Sequence, residues 1–306
     1  MIISNLYNIN YSEMEMNYDL FIGVAGEEPR SYFLATHTDI TQFAKYKFVI
    51  PYTGTTSKPN EYPQDINWIE DANKIDNPIW GIVEDFLIEA RDSLSVIIDY
   101  SSMSRLLYGS FLRSCYEYEG NVKLKICFIY NVAKPSPPPE NQSFHFEPMP
   151  GFWRLRLPQN PTALVIGLGY EEGRAYSLKD YFDAEVVNVF RTDKSSSDNY
   201  YNLVQKNNEQ LLKKISYKES SNIFEYSLDN IDYTHKVLSD LCQDLSRQYR
   251  VVIAPCGPKP FTLISLLVAL RLDNVDVWRV HNVDKVVKKE ASEKNIVTII
   301  EMIPRH

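Results

Sequence analysis

Two short stretches of the chain repeat the same group of charged residues. Residues 22–32 read IGVAGEEPRSY and residues 166–176 read IGLGYEEGRAY, with the same residue at six of eleven positions. Both contain a Glu-Glu-x-Arg motif, formed by Glu27, Glu28 and Arg30 in the first stretch and by Glu171, Glu172 and Arg174 in the second. In a binding site the carboxylates would accept hydrogen bonds from ribose hydroxyls or base amino groups, and the arginine would bind a phosphate. Alternatively, the acids begin a helix and pair locally with the arginine, or they bridge the two halves of the chain.

Two further segments carry side chains that suit an anionic ligand. They are DYSSMSR, with Ser101, Ser102 and Arg105, and PCGPKP, with Gly257 and Lys259. Each segment follows an apolar run typical of a buried strand and precedes a helical pattern, so free backbone N–H groups and the helix dipole would favour an anion there. The alternative is structural: Ser102 or Ser104 caps the helix, and Gly257 and Pro258 form a rigid turn.

Signals for catalysis are few. The chain has no GxSxG, GxxxxGK[ST] or HExxH motif, and in GLGYEEG the third glycine stands one position too late for a dinucleotide-binding GxGxxG. The five histidines and four cysteines show no spacing typical of metal ligands, so neither a metal site nor a cofactor is predicted. The candidate catalytic groups are Asp99, Glu171 and Cys256. Alternatively, Asp99 caps the turn after its strand, and Cys256 is a small buried residue without a catalytic role.

Composition and charge exclude several classes of protein. The 306 residues carry a net charge of −8, which argues against binding duplex nucleic acid, because such binding rests on neutralising phosphates. The longest apolar run, Phe261 to Leu270, is too short to span a bilayer, and the first 18 residues are polar and acidic, unlike a signal peptide. A cytoplasmic protein without membrane contact is predicted.

Apolar runs alternate with helical patterns in both halves of the chain. In the first half YDLFIGVAG, KFVIPYTG, SVIID and KLKICFIYNV predict strands, and in the second half TALVIGLG, EVVNVF, RVVIAP and VDVWRVHNV do so. Helical patterns between them are typical of a parallel sheet covered on both faces. We therefore predict an α/β fold with two tandem Rossmann-like domains and mostly parallel sheets, residues 1–132 and 163–306, joined by a proline-rich linker over 133–162.

The order of elements further predicts an internal duplication. Residues 96–112, VIIDYSSMSRLLYGSFL, align with residues 251–267, VVIAPCGPKPFTLISLL. In open parallel sheets ligands bind outside the carboxyl ends of the strands. The four loops described above are therefore expected at such edges, around a cleft between two pseudo-symmetric halves.

The segment APCGPKPFTLISLLVALR resembles the ligand loop of CARF domains, Rossmann-like sensors of CRISPR-linked signalling. These domains commonly have a Gly-Gly-Thr-Lys-like turn, of which Gly257 and Lys259 match one glycine and the lysine, while Cys256 and Pro258 depart from it. DYSSMSR would be the degenerate counterpart. A covalent pair of such halves is similar to the SAVED arrangement, which recognises cyclic oligonucleotides in bacterial anti-phage systems. The resemblance implies a nucleotide sensor whose effector is another chain.

Three functions are compatible with these observations. The first is a nucleotide-like ligand-binding sensor or accessory protein that acts on a partner. The second is a hydrolase of a nucleotide or phospho-sugar. The third is an interaction subunit of a multiprotein complex whose ancestral site has decayed. The first is the prediction. Carboxylates that converge on the same cleft as Lys259 and Arg105 would favour the hydrolase, whereas a cleft lined by lysine, arginine, serine and glycine would favour binding.

Overall fold

The chain forms two compact units in a computed structural model that describes residues 1–15, 17–26, 28–37, 42–52, 62–69, 76–134, 144–154, 160–196, 198–218, 222–282 and 289–305. Unit 1 comprises Met1–Lys134 and Lys288–His306, and unit 2 comprises Pro135–Val287. Each unit is an α/β fold built on one sheet, as the sequence predicts.

Unit 1 contains a seven-stranded sheet. Its elements are β1 (Ile2–Ile9), β2 (Tyr18–Ala25), α1 (Arg30–His37), β3 (Ala44–Pro51), β4 (Asn67–Trp68), α2 (Pro78–Glu89), β5 (Ser93–Asp99), α3 (Arg105–Glu117), β6 (Lys123–Ala133) and a last strand near the C-terminus (Ala291–Ile303). That last strand lies between β6 and β1 and is antiparallel to both, whereas β2 to β6 run parallel.

Unit 2 contains a six-stranded sheet. Its elements are β7 (Phe144–Pro148), β8 (Thr162–Gly167), α4 (Arg174–Phe182), β9 (Val186–Thr192), α5 (Asp198–Asn207), α6 (Glu209–Lys218), β10 (Ile223–Tyr226), α7 (Ile231–Leu245), β11 (Arg250–Pro255), α8 (Lys259–Arg271) and β12 (Val275–Asn282). The strand order is β10-β9-β8-β11-β12-β7, and only β7 is antiparallel. The last strand of unit 1 is accordingly β13.

The two sheets place their strands in the same order. In unit 1 the parallel strands run β4-β3-β2-β5-β6, and in unit 2 they run β10-β9-β8-β11-β12. This is the 3-2-1-4-5 order of doubly wound folds, in which the first and fourth strands are neighbours and the chain changes direction across the sheet between them. The internal duplication stays a prediction.

The central strands are apolar because helices cover both faces of the sheets. Val96, Ile97 and Ile98 of β5 are fully buried, and so are Leu164, Val165 and Ile166 of β8. Helix α8 is apolar on every side, and its residues from Pro260 to Ala269 are all buried. None of the described helices combines the length and apolar character that crossing a membrane requires.

The units differ from the sequence-based domain boundaries in two places. Residues 291–303, which the sequence assigns to the second domain, form β13 in the sheet of unit 1. Residues 144–148, which the sequence assigns to the linker, form the edge strand β7 of unit 2. Both strands pair antiparallel, and a βαβ pattern along the chain contains no signal for such additions. Much of the linker, including residues 135–143, lies outside the described residues.

A buried histidine lies where α7 packs against α8. His235 is 8% exposed, and its Nε2 atom has no hydrogen-bond partner in the part of the chain that the structure describes. Burial, together with the positive charge of Arg271, lowers the pKa of His235 to about 4. The folded protein therefore holds this imidazole neutral at neutral pH.

We expect His235 to make unit 2 less stable at acidic pH. The folded pKa lies below the usual value of 6.5, so the unfolded chain binds more protons between the two values. The stability that depends on a neutral His235 is complete above pH 6.5 and falls by about 3 kcal/mol as the pH approaches 4. In urea denaturation, the free energy of unfolding should fall less between pH 7.5 and pH 4.5 in His235→Gln than in the wild-type protein. Equal pH dependence in both proteins would contradict this account.

Candidate functional site

The four loops singled out by the sequence follow the four strands at the centres of the sheets. In unit 1 they follow β2 and β5, and in unit 2 they follow β8 and β11. These strands are parallel neighbours within each unit, so their loops meet at one edge, at the point where ligands bind in doubly wound folds. Each edge is described separately below.

Arg30 is the first residue of α1 and is almost completely buried. Its Nε donates to the Glu28 carboxylate at 2.7 Å, and its Nη1 donates to the backbone oxygen of Asn131, in β6, at 3.0 Å. The guanidinium also lies 5.7 Å from the centre of the Tyr130 ring. Burial alone would lower the pKa of Arg30, but Tyr130 and Glu28 outweigh it, so the pKa is raised. Glu27, the other acid of this motif, lies outside the described residues.

Ser101 is fully buried in a chain of hydrogen bonds. Its hydroxyl donates to Asp99 at 2.6 Å and accepts from the backbone N–H of Asn131 at 2.8 Å. The backbone N–H of Ser101 also donates to Asp99, at 3.0 Å. Asp99 therefore holds the turn after its own strand, as in the structural alternative. Since Asn131 accepts from Arg30, these bonds join the ends of β5 and β6 to the start of α1.

Tyr52, which follows β3, covers the second loop of unit 1. Its hydroxyl donates to the backbone oxygen of Ser102 at 3.0 Å and accepts from the backbone N–H of Ser104 at 2.5 Å. Burial raises the pKa of Tyr52, so the hydroxyl stays protonated and able to donate. Ser104, rather than Ser102, is the cap of α3, because its hydroxyl accepts from the N–H of Leu107 at 3.2 Å. Arg105 is the first residue of that helix and is partly exposed.

The second motif repeats the buried arginine of the first. Arg174 is the first residue of α4, its side chain is buried, and its Nη1 lies 3.2 Å from Glu171 Oε1. Its guanidinium lies 5.3 Å from the centre of the Phe144 ring. Glu172 is exposed. Among the described residues Arg30 pairs with Glu28, which aligns with Glu172, and Arg174 pairs with Glu171.

Glycines allow the two loops of unit 2 to touch. A β-carbon on Gly169 would lie 2.5 Å from the backbone oxygen of Cys256, and one on Gly257 would lie 2.6 Å from the backbone oxygen of Leu168. Gly257 therefore approaches the backbone of the other loop closely. Cys256 is buried, and its thiol donates to the backbone oxygen of Ala254 at 3.7 Å, as expected of a small buried residue.

Two polar groups of this edge differ from those described so far. Lys259 is the first residue of α8 and is partly exposed. The Oε1 atom of Glu171 contacts Arg174, but its Oε2 atom is buried and has no hydrogen-bond partner among the described residues. A buried carboxylate oxygen without a donor is unusual, because the loss of its hydration is not compensated.

Comparison with known proteins adds no relative. No family model matches the chain, and no curated protein matches it. The resemblance to CARF and SAVED proteins therefore rests on the loop residues alone and stays a prediction.

The candidate catalytic residues are each engaged in local contacts. Asp99 accepts from Ser101, Glu171 pairs with Arg174, and Cys256 bonds to its own strand. Nowhere in the described ranges do three or more histidine, cysteine, aspartate or glutamate side chains form a group that could hold a metal ion.

Tyr52 and Asn131 are site residues that the sequence analysis did not single out. Asn131 lies near the end of β6, within a YNV segment that aligns with HNV at residues 281–283. That alignment is the sequence signal from which Asn131 could have been found. Tyr52 carries no comparable signal, because one tyrosine among 21 is not distinctive.

Proposed function

We propose that this chain is a nucleotide-like ligand-binding protein, a sensor or accessory subunit, whose ligand binds at the strand ends of unit 2. The observation that carries the proposal is the buried Oε2 atom of Glu171, which has no donor in the described part of the chain. A ligand hydroxyl or amino group would supply that donor. The charge of Lys259 and the positive end of the α8 dipole favour an anionic group at the same edge.

The combination of groups selects the class of ligand. A simple anion such as phosphate would be attracted by the charge of Lys259 but repelled by the carboxylate of Glu171. A nucleotide carries both a phosphate for the cation and ribose hydroxyls for the carboxylate. The proposal therefore favours a nucleoside phosphate over a bare anion.

The loops at the strand ends of unit 1 have a different role on this proposal, since they bind no ligand. Arg30, Ser101 and Tyr52 are all bonded to neighbouring parts of the same unit. This edge fits the degenerate counterpart that the resemblance to CARF domains implies. On this proposal ligand binding in unit 2 alters an interaction with an effector on another chain, in a bacterial anti-phage system of the kind that uses such sensors.

We expect a nucleotide to raise the thermal midpoint of the wild-type protein and to do so less in Lys259→Ala. A ligand at 100 times its dissociation constant stabilises the folded state by about 2.7 kcal/mol. The screen should contain cyclic dinucleotides, cyclic oligonucleotides, NAD and nucleoside phosphates. Lys236→Ala, on the exposed face of α7, is the control and should respond like the wild type.

Glu171→Gln tests the second half of the site. The wild-type protein should bind a ribonucleotide more tightly than its 2′,3′-dideoxy analogue, and the variant should lose that preference. A midpoint that no compound shifts would refute ligand binding. A shift that Lys259→Ala leaves unchanged would assign the ligand to another place.

The interaction subunit is the second candidate, and the closed edge of unit 1 favours it. If both edges only fix loops, the folded scaffold itself is what a partner recognises. If no compound in the ligand screen shifts the thermal midpoint, the interaction subunit becomes the favoured function.

A further inference from the structure

An open groove of about 520 Å³ lies beside the sheet of unit 2, away from the loops considered above. Helix α6 forms one wall with Leu212, Lys213, Ser216 and Tyr217, which lie on one helix face because they are spaced by three or four residues. The other wall contains Arg191 of β9 and Ile223 of β10. Ligand-binding clefts in proteins are usually of this size, about 300–1,000 Å³.

The strand beside this groove is the edge of its sheet. β10 pairs parallel with β9 and stands last in the strand order. An edge strand presents N–H and C=O groups to which an extended peptide can hydrogen-bond as an additional strand. A groove between an edge strand and a helix then receives alternate side chains of that peptide.

The surroundings of the groove have the opposite charge to the whole chain. Residues 191–218 contain six basic and three acidic residues, a net charge of +3, which Glu225 beside Arg191 reduces to +2, whereas the chain carries −8. Within the groove Lys213 pairs with Glu209 at 2.7 Å, but both side chains are more than half exposed. Such an exposed pair contributes little to stability, so Lys213 can exchange Glu209 for a carboxylate of a ligand.

Arg191 is held more firmly than Lys213. Its Nη2 donates to Glu225 at 2.6 Å, and its guanidinium lies 5.2 Å from the centre of the Tyr201 ring. It holds a guanidinium in a fixed place on the strand wall, as part of an ion pair with Glu225.

Apolar groups line the same groove. Leu212 and Ile223 contribute aliphatic surface, and Tyr217 is 93% exposed at the end of α6. Tyrosine is enriched among the residues that dominate binding energy at interfaces, since it offers a large rigid surface and a hydroxyl.

We propose that this groove binds an acidic segment of a partner protein in extended conformation, aligned beside β10 with its carboxylates near Lys213 and its apolar side chains against Tyr217. The partner is identified by charge complementarity, by the position of β10 as the last strand of the described sheet, and by the apolar lining. The proposal uses none of the residues of the proposed nucleotide site, so the two stand or fall separately.

The test is fluorescence anisotropy with three labelled probes: a decapeptide of alternating glutamate and valine, the same peptide with lysine for glutamate, and decathymidylate. The acidic peptide should bind, and the basic peptide should not. Lys213→Glu and Tyr217→Ala should each weaken binding by about ten-fold or more. Lys236→Glu and Tyr233→Ala, the matched exposed residues on α7, should change it less than about two-fold.

Hydrogen exchange supplies a second readout for the place of binding. The amides of residues 223–226 should become more protected when the acidic peptide is bound, because the added strand pairs with β10. Equal effects of the α6 and α7 variants, no protection at β10, or no binding of the acidic peptide would each overturn the proposal. Preferential binding of decathymidylate would overturn it as well and would indicate a surface for single-stranded nucleic acid.

Discussion

Arg30→Ala should destabilise unit 1 by about 3–5 kcal/mol, because it breaks a buried ion pair by removing one partner. The wild-type guanidinium is 4% exposed and contacts Glu28, the backbone of Asn131 and the Tyr130 ring. Without it, the backbone oxygen of the fully buried Asn131 and the mostly buried carboxylate of Glu28 lose a charged donor. Urea denaturation, with hydrogen exchange in β5 and β6 as the local reporter, measures the loss.

Arg113→Ala is the matched control for this prediction. Arg113 pairs with Glu117 at 2.5 Å on α3, but the two side chains are 42% and 55% exposed. Arg113→Ala should lower the free energy of unfolding by less than about 1 kcal/mol. Similar costs for the two variants would mean that burial of Arg30 contributes little, and that the repeated motif has a purpose other than fixing α1.

Gly169→Ala should destabilise unit 2 by about 1–3 kcal/mol, as expected when an atom is forced into close-packed surroundings. The new β-carbon would lie 2.5 Å from the backbone oxygen of Cys256 and 2.5 Å from Glu171 Oε2. A side chain could rotate away, but the carbonyl of Cys256 belongs to the other loop, so the two loops must separate. Thermal and urea unfolding should both report the loss.

Gly81→Ala tests the opposite case. Gly81 lies inside α2, and a β-carbon there would meet no atom within 4 Å. Alanine should stabilise the helix by about 0.5–1 kcal/mol, because glycine loses more backbone freedom on folding. If Gly169→Ala were as well tolerated as Gly81→Ala, the loops of unit 2 would not be in close contact in solution.

The parallel strands could be predicted from sequence because burial on both faces leaves a continuous apolar run. SVIID and RVVIAP are such runs, and they form the central strands β5 and β11. The edge strands β1, β4, β7 and β10 have mixed composition, since one side of each is not covered by another strand. FHFEP at 144–148 alternates aromatic and polar residues within a proline-rich region, and nothing local distinguishes it from a linker.

The candidate site could be predicted only in part. The repeat of Glu-Glu-x-Arg correctly marked two equivalent places, the starts of α1 and α4. Which acid pairs with the arginine depends on backbone geometry, and Gly173, in the left-handed region at φ 74°, precedes Arg174 where Pro29 precedes Arg30. The cover over the DYSSMSR loop comes from Tyr52, 50 residues from the oxygen that it bonds, and local patterns carry no information on such distant contacts.

The return of β13 to unit 1 sets an order for folding during synthesis. Residues 135–287 leave the ribosome before residues 291–303, so every segment of unit 2 is available while the sheet of unit 1 still lacks a strand. Strand β1 must wait longest, because in the described sheet its hydrogen-bonding neighbour is β13, almost 300 residues later. The unit whose synthesis begins first is therefore the last to be completed, and its open β6 edge is exposed to wrong pairings for the whole interval.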